Sequence, residues 1–309
     1  MLWYIGRRLL QMIPVILGAT LLIYALIFLR PGDPIAALFG DKPVNQAIVD
    51  LLREQYHLDK PFLVQWFLFL KGILSLDFGI TLTGRPVIEV IKTAFPVTMK
   101  LAVMAFVFEA VLGIVAGTIA GLRKGKLFDT TMLITSLILI AVPIFVVGFV
   151  AQFFIGVKWG IVPPTVGGDA SFERLLLPAV VLGSVSFAYI LRLTRTSVAE
   201  NLTADHVRTA TAKGLSERDV ITRHVMRNSL IPVVTYLGVD FGALLAGALV
   251  TEAIFNVPGI GNTLYDAILR GDGATMVSIT TLMVFIFVIA NLLVDLLYAV
   301  LDPRIRYDK

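Results

Sequence analysis

Polarity along the chain changes in long blocks rather than in short periods. Six apolar stretches, about 9–29, 98–121, 130–157, 176–193, 230–255 and 277–301, are long enough to cross about 30 Å of hydrocarbon as helices. The first follows Arg7 and Arg8 and has the look of a signal peptide. Its apolar run is too long for that, and no small-residue cleavage site precedes Arg30 and Pro31, so it reads as a retained helix. A seventh stretch, 62–76, is short and broken by Gln65 and Lys71. A lysine at mid-bilayer costs about 2.5–3.5 kcal/mol, so this segment is expected to lie flat at the interface.

The polar blocks between the spans have their own patterns. "PGDP" at 31–34 reads as a turn. "NQAIVDLLREQYHLD" places Ile48, Leu51, Leu52 and Tyr56 at helical spacing, and Pro61 ends that helix. "FGITLTGRPV" at 78–87 reads as strand or loop. The chain thus divides into an N-terminus with the first span (1–30), a small subdomain (31–97), and a five-helix core (98–309) with a polar loop at 196–229.

Charge orients this arrangement. With six spans both termini share a side, which then holds Arg7, Arg8, Arg123, Lys124, Lys126, Arg192, Arg195, Arg208, Lys213, Arg218, Arg223, Arg227, Arg304, Arg306 and Lys309. The short loops opposite hold Lys158, Arg174 and Arg270. The bias puts both termini in the cytoplasm and 31–97 outside. Composition agrees with a membrane protein: 57% of residues are hydrophobic, against roughly 45–50% in soluble domains.

Candidate chemistry is sparse. There is no cysteine, and His57, His206 and His224 lack metal-ligand spacing. "GLRKGKL" at 121–127 fails as a phosphate loop, because three residues rather than four separate its glycines and Leu127 follows the lysine. "PGIG" at 258–261 is too short for a dinucleotide fingerprint, and no G-x-S-x-G or H-E-x-x-H is present. Neither catalysis, nor a nucleotide site, nor a metal site is expected.

Small residues recur every fourth position: Gly113, Gly117 and Gly121 in the second span, and Gly238, Gly242 and Ala246 in the fifth. Such faces let helices approach closely in lipid, within the bundle or at a seam with another subunit. Glu109 and Asp240 fall near mid-bilayer, and Asp295 lies nearer the cytoplasmic end with Asn291 one turn before it. Intramembrane carboxylates serve as buried structural groups or as the lining of a translocation path. Glu109 and Asp240 are candidates for the second role.

The loop "TATAKGLSERDVITRHVMRNSLIP" (209–232) is polar, basic and helical in pattern. Asp205 is placed to cap a helix over about 206–213, and Gly214 to end it in a left-handed conformation. Ser216 and Asp219 then form a loose capping box for a second helix bearing Val220, Ile221 and Val225. Ala210 and Gly214 fall on one smooth side, suited to entering a groove, with Arg208, Lys213 and Arg218 around it.

"RTATAKGLSERDVITRHVMRN" resembles the cytoplasmic loop of binding-protein-dependent ABC importer permeases. The Glu-Ala-Ala places of the general pattern are held here by Arg208, Thr209 and Ala210, and its later proline by Arg227. The form is similar to the peptide-importer branch, Arg-Thr-Ala-x-Ala-Lys-Gly-Leu. "LRPGDP", "YHLDKPFLVQW", "GRPVIEVI", "TEAIFNVPGIGNTLYDAI" (251–268) and "NLLVDLLYAVLDPRIRY" (291–307) resemble it too, while "LSLDFGI" departs slightly. The likeness runs along nearly the whole chain, to the B-type permease of dipeptide and oligopeptide importers.

That resemblance implies an all-α integral membrane protein of the type I ABC importer permease fold, in a bacterial cell membrane. It implies that Arg208, Thr209, Ala210, Ala212, Lys213, Gly214 and Leu215 form a coupling helix docked on a cytoplasmic ATPase. It further implies a second, related permease forming a heterodimer, two ATPase subunits that hold ATP and Mg, and an extracytoplasmic binding protein. This chain itself would bind no cofactor and catalyse nothing. Substrates of the branch include dipeptides, oligopeptides, glutathione and nickel complexes. An ion-coupled secondary transporter is the alternative from another class. It predicts paired discontinuous helices or inverted repeats, and the sequence shows neither.

Overall fold

The computed structural model describes residues 2–29, 53, 57 and 59–301. The turn at 31–34, most of the amphipathic segment 45–59 and the C-terminal "DPRIRY" lie outside the described residues. So does the side chain of Asp295.

The described residues are helical almost throughout, and one isolated bridge, Ile80 with Pro86, is the sole β pairing among them. In chain order the helices are α1 (Leu2–Phe28), α2 (Phe62–Leu74), α3 (Val87–Leu122), α4 (Leu127–Ala141) and α5 (Ile144–Lys158). Then come α6 (Phe172–Asn201), α7 (Asp205–Ala212), α8 (Arg227–Phe255), α9 (Ile260–Arg270) and α10 (Gly273–Leu301). Five helical stretches are long and apolar enough to span a bilayer: α1, α3, α6, α10 and the one that leads into and includes α8. The sixth expected span, 130–157, is a pair, α4 and α5, bent by 107°. Pro143 explains the break. It lacks an amide proton to continue the helix, and Val142 before it adopts an extended conformation, φ −90° and ψ 127°.

The second span begins at Val87 rather than near residue 98, so α3 runs from the expected outer subdomain into the core without interruption. Pro96 lies inside it. Segment 62–76 forms the short helix α2, too short to count as a span. Its rings stack on α1, with Phe69 5.3 Å and Phe62 5.8 Å from Tyr24. The 78–87 segment folds as a loop strapped to the start of α10. The Ser278 hydroxyl donates to the Phe78 carbonyl (2.7 Å), and the Leu82 amide donates to Asp272 (3.1 Å).

The densest helix pair is α3 with α6, and the glycine spacing explains it. A Cβ on Gly113 would meet Ile190 at 2.7 Å. One on Gly117 would meet the Leu191 carbonyl and Thr194 at 2.6 Å, and one on Gly121 would meet Val198 at 2.8 Å. On the other side, Gly183 of α6 leaves room for the Ala105 carbonyl of α3. The stripe therefore packs inside the bundle. Gly242 of α8 is in ordinary contact with Ala290 and Phe287 of α10, and Gly238 is half-buried.

Adding bulk at this seam is costly because the facing atoms are backbone or branched side-chain carbons close to it, which cannot swing away. Gly117→Val is expected to destabilise the protein by about 1–3 kcal/mol, read as a lower thermal midpoint in detergent. Gly18→Ala on α1, where a Cβ meets nothing within 4 Å, should leave it unchanged.

Candidate functional site

Three polar constructions stand out along the α3–α6–α8 core: a capped loop at one end, a buried acid cluster in the middle, and a carboxylate-capped turn at the other end.

The loop follows α6. Helix α7 is started by Ala204 in an extended conformation with no side-chain cap. Asp205, expected as the cap, instead lies in the first turn, fully exposed, 3.8 Å from Arg208. A carboxylate there still complements the positive end of the helix dipole. The far end of α7 is a complete Schellman closure. Gly214 has φ +78°, its amide donates to the Thr211 carbonyl (3.0 Å), and the Leu215 amide reaches the Ala210 carbonyl (3.4 Å). Ser216 then caps the next turn, accepting from the Asp219 amide (3.2 Å) while its hydroxyl donates to the Asp219 carboxylate (2.7 Å).

From Glu217 the chain passes through a wide π turn, Val220–Met226, straight into α8. Pro232 lies inside α8 rather than marking its start. The inner side of the loop is a small apolar core of Val198, Val207, Ala210, Val220 and Val225. Ala210 is thus 4% exposed and turned inward, which corrects the expectation that it shares an outward smooth side with Gly214. Its small size lets α7 lie close on the π turn 220–226, over Val198 at the end of α6. Outward stand Arg208, Thr209, Ala212, Lys213, Gly214 and Leu215.

Beside this loop is a charge pair the sequence did not reveal. Arg195 of α6 grips Asp129 of α4 with both ends of its fork, at 2.8 and 2.7 Å. The Gly125 amide donates to the same carboxylate (2.8 Å), with Gly125 at φ +78°. The basic 121–127 loop is therefore folded onto α6. Its turn geometry and Asp129, rather than its charge alone, fix its shape.

In the middle, Glu109 of α3 is fully buried, and a Cβ on Gly183 would lie 3.4 Å from it. Neither of its oxygens accepts a hydrogen bond, and the group it faces is Asp240 of α8. Asp240 is 8% exposed. One of its oxygens accepts from Ser186 of α6 (2.9 Å) and the other has no partner. The Tyr236 hydroxyl lies against Ser186 and Asp240. The two acids, distant in sequence, are thus brought together between α3, α6 and α8.

At the far end, Glu252 of α8 was not singled out by sequence reasoning. It is fully buried. It accepts from the Thr98 hydroxyl of α3 (2.6 Å) and the Asn262 amide (3.0 Å), while the Ile260 amide donates to Thr98 (2.8 Å). These amides open α9, so the carboxylate serves as the cap of a helix eight residues further on. Gly259 and Gly261 of "PGIG" are required by this approach: a Cβ on Gly259 would fall on the Glu252 carboxylate, and one on Gly261 would meet the Leu249 backbone at 2.5 Å. Among the described residues no group of three or more potential metal ligands comes together.

A bundle of apolar spans with a capped polar loop between two of them has the architecture of a multi-pass membrane protein. The comparisons agree. Residues 113–307 match the family described as binding-protein-dependent transport system inner membrane component, and residues 1–102 match the N-terminal part of such components. The chain is 36% identical to the dipeptide transport system permease protein DppB of Escherichia coli K12, over the full length of both. It is 37% identical to the di/tripeptide transport system permease protein DppB of Pseudomonas aeruginosa, again over both full lengths. It is 35% identical to the glutathione transport system permease protein GsiC of Escherichia coli K12, covering 99% of this chain and all of the relative. The chain belongs to the family of binding-protein-dependent ABC importer permeases, the multi-pass inner membrane components of such systems.

Asp129→Asn leaves the part-buried Arg195 guanidinium without its counter-charge. The expected loss is about 3 kcal/mol, read as a lowered thermal midpoint in detergent. The double variant Asp129→Asn/Arg195→Gln should recover part of it.

Proposed function

We propose that this chain forms one half of the translocation path of an ATP-driven importer of short peptides, worked from the cytoplasm through the 205–218 loop. The observation that carries this reading is the construction of that loop. A two-turn helix is closed at its end by a Schellman motif and followed by a capped turn. It is packed on the end of α6 and continues through the π turn into α8, so a push on α7 reaches two spanning helices without a flexible joint. Arg208, Thr209, Ala212, Lys213, Gly214 and Leu215 stand outward for an ATPase to grip, and Ala210 holds α7 to its base.

In this reading both termini and the loop face the cytoplasm, as the distribution of basic residues requires. The 31–97 segment faces an external binding protein. A second, related permease completes the path as a heterodimer, and two ATPase subunits supply ATP and Mg. Glu109 and Asp240 belong to the path wall, where they favour a substrate with an ammonium group. Support for peptides comes from the relatives named for dipeptides and for di- and tripeptides. Glutathione is the second reading, supported by a relative of nearly equal identity. It too carries a free ammonium and free carboxylates. An ion-coupled mechanism would leave the loop without a task.

The test is co-purification and uptake. Ala212→Arg and Leu215→Asp each alter an exposed side chain of the loop, so the permease should still fold and pair. Each is expected to weaken ATPase retention and cut dipeptide uptake by about tenfold, equivalent to about 1.4 kcal/mol at the contact. Unchanged ATPase retention and uptake in both variants would remove the loop from the mechanism.

A further inference from the structure

Most of the outward surface of the bundle is what lipid demands. Along the inner part of α3, from 103 to 119, the exposed positions are Val103, Val107, Val111, Leu112, Val115 and Ile119, all apolar. Helix α6 differs. Its exposed stripe over the same depth reads Tyr189, Arg192 and Thr196, with Glu200 beyond.

Arg192 is the unusual member. Among the described residues no hydrogen bond or ion pair holds its guanidinium, whereas Arg195, three positions on, is locked to Asp129. Its level is fixed by the glycine seam. Leu191 and Thr194 pack on Gly117, and from there to the end of α3 at Leu122 is about 7.5 Å at helical rise. Arg192 therefore sits toward the cytoplasmic end of the apolar block, one turn short of Arg195 and more than a turn short of the basic 123–126 loop. An unpaired arginine facing hydrocarbon is unfavourable by kilocalories, and its polar neighbours argue for a watered face.

The acid cluster lies further along the same helix. Ser186 holds Asp240 at 2.9 Å, and from Ser186 to Arg192 the helix rises about 9 Å. An extended chain covers at most about 3.3–3.6 Å per residue, so the axial part of the separation is that of the charged ends in a peptide of two or three residues. Between the two charges lie Tyr189 and Tyr236, with ring centroids 6.2 Å apart. On the acid side, an Asp240 oxygen and both Glu109 oxygens have no donor.

The geometry points to a subsite for the zwitterion of a short peptide within the path, with its ammonium at Asp240 and Glu109 and its terminal carboxylate on Arg192. This rests on the peptide reading above and adds to it a length limit and an orientation, with the carboxylate end toward the coupling loop. Arginine suits the task because its fork matches a carboxylate in two hydrogen bonds. The tyrosine rings offer flat faces to peptide planes without selecting a side chain.

The chain has no cysteine, so Arg192→Cys introduces a thiol unique to this subunit. The complete transporter, with its ATPases and binding protein, is reconstituted in proteoliposomes. The thiol is treated with aminoethyl or sulfonatoethyl methanethiosulfonate, with and without dipeptide, and labelling is read on this chain alone. The subsite predicts labelling from water, slowed several-fold by dipeptide. It also predicts that the cationic adduct restores uptake and the anionic one does not.

In parallel, uptake of a dipeptide is compared with that of its C-terminal amide, after correction for the binding protein's own preference measured by titration. Arg192→Gln should lower the acid-to-amide ratio about tenfold, the value of one good charge-assisted contact, and Arg192→Lys should keep much of it. Labelling indifferent to dipeptide, together with an unchanged ratio, overturns the subsite. Labelling that instead follows the anionic phospholipid content assigns Arg192 to a lipid headgroup, and also overturns it. A wild-type transporter that takes up no dipeptide overturns the peptide function itself. Normal wild-type uptake with an unchanged ratio in Arg192→Gln overturns the subsite alone.

Discussion

The structure depends on how closely α3 and α6 approach. In lipid no hydrophobic force drives two apolar helices together, because a neighbouring helix is no drier than the acyl chains. Contact must come from packing and from polar groups that find each other. Gly113, Gly117 and Gly121 supply the first by removing every Cβ along one face, so that α6 lies against the α3 backbone. Gly183 answers from α6, and that hollow leaves room for the Glu109 side chain. The polar links are then added at fixed levels: Ser186 to Asp240 in the middle, and Arg195 to Asp129 at the loop end. Without the glycines the seam would widen, and neither the acid cluster nor the base of the coupling loop would keep its place.

That seam also gives the loop a rigid base. Val198 closes the packing on Gly121 and is at the same time the first member of the small core beneath α7. One residue thus serves both the bundle and the loop. In the proposed coupling role a displacement of α7 would act on α6 through Val198 and Val207, and on α8 through Val220 and Val225. The loop would act as a lever because its inner face is apolar and buried while its ends are hydrogen-bonded.

Much of this was legible in the sequence. The apolar blocks marked five spanning helices and the bent pair, and the charge bias proposes an orientation. Gly214 announced the left-handed end of α7, and Ser216 with Asp219 announced the cap after it, because these features depend on local backbone chemistry alone. The glycine spacing announced a close seam but not its partner, which only the tertiary fold selects. Other features escaped for the same reason. Asp205 satisfies a local capping rule, but the helix starts one residue earlier. Ala210 was placed outward because periodicity cannot say which side of a polar helix meets its own chain. Glu252 and Asp129 act on residues that local pattern does not bring near them, Thr98 and Arg195, so no short motif carries them. The Pro143 break had a local signal, a proline within a long apolar block, which was masked by reading the block as one span.

Glu252 completes the mechanical account. Helix α8 is held at one end by the coupling loop and at the other by its own carboxylate seated on the first amides of α9, with Thr98 of α3 clasped in the same network. A buried carboxylate with these donors is stable only while they remain in place, because each lost hydrogen bond leaves a buried charge or amide unsatisfied at about 1–3 kcal/mol. The far end of α8 therefore resists sliding relative to α3 and α9, while at the loop end apolar contacts are joined by longer polar links, Ser229 to the Ser197 carbonyl (3.2 Å) and Asn228 to His206 (3.1 Å). A load applied at α7 would then pivot α8 about Glu252 rather than translate it. Displacement would grow along α8 from the pivot toward the loop, so Asp240 and Tyr236, which lie between the two, would shift against α3 and α6. The buried acids sit where a pivoting helix would open a path.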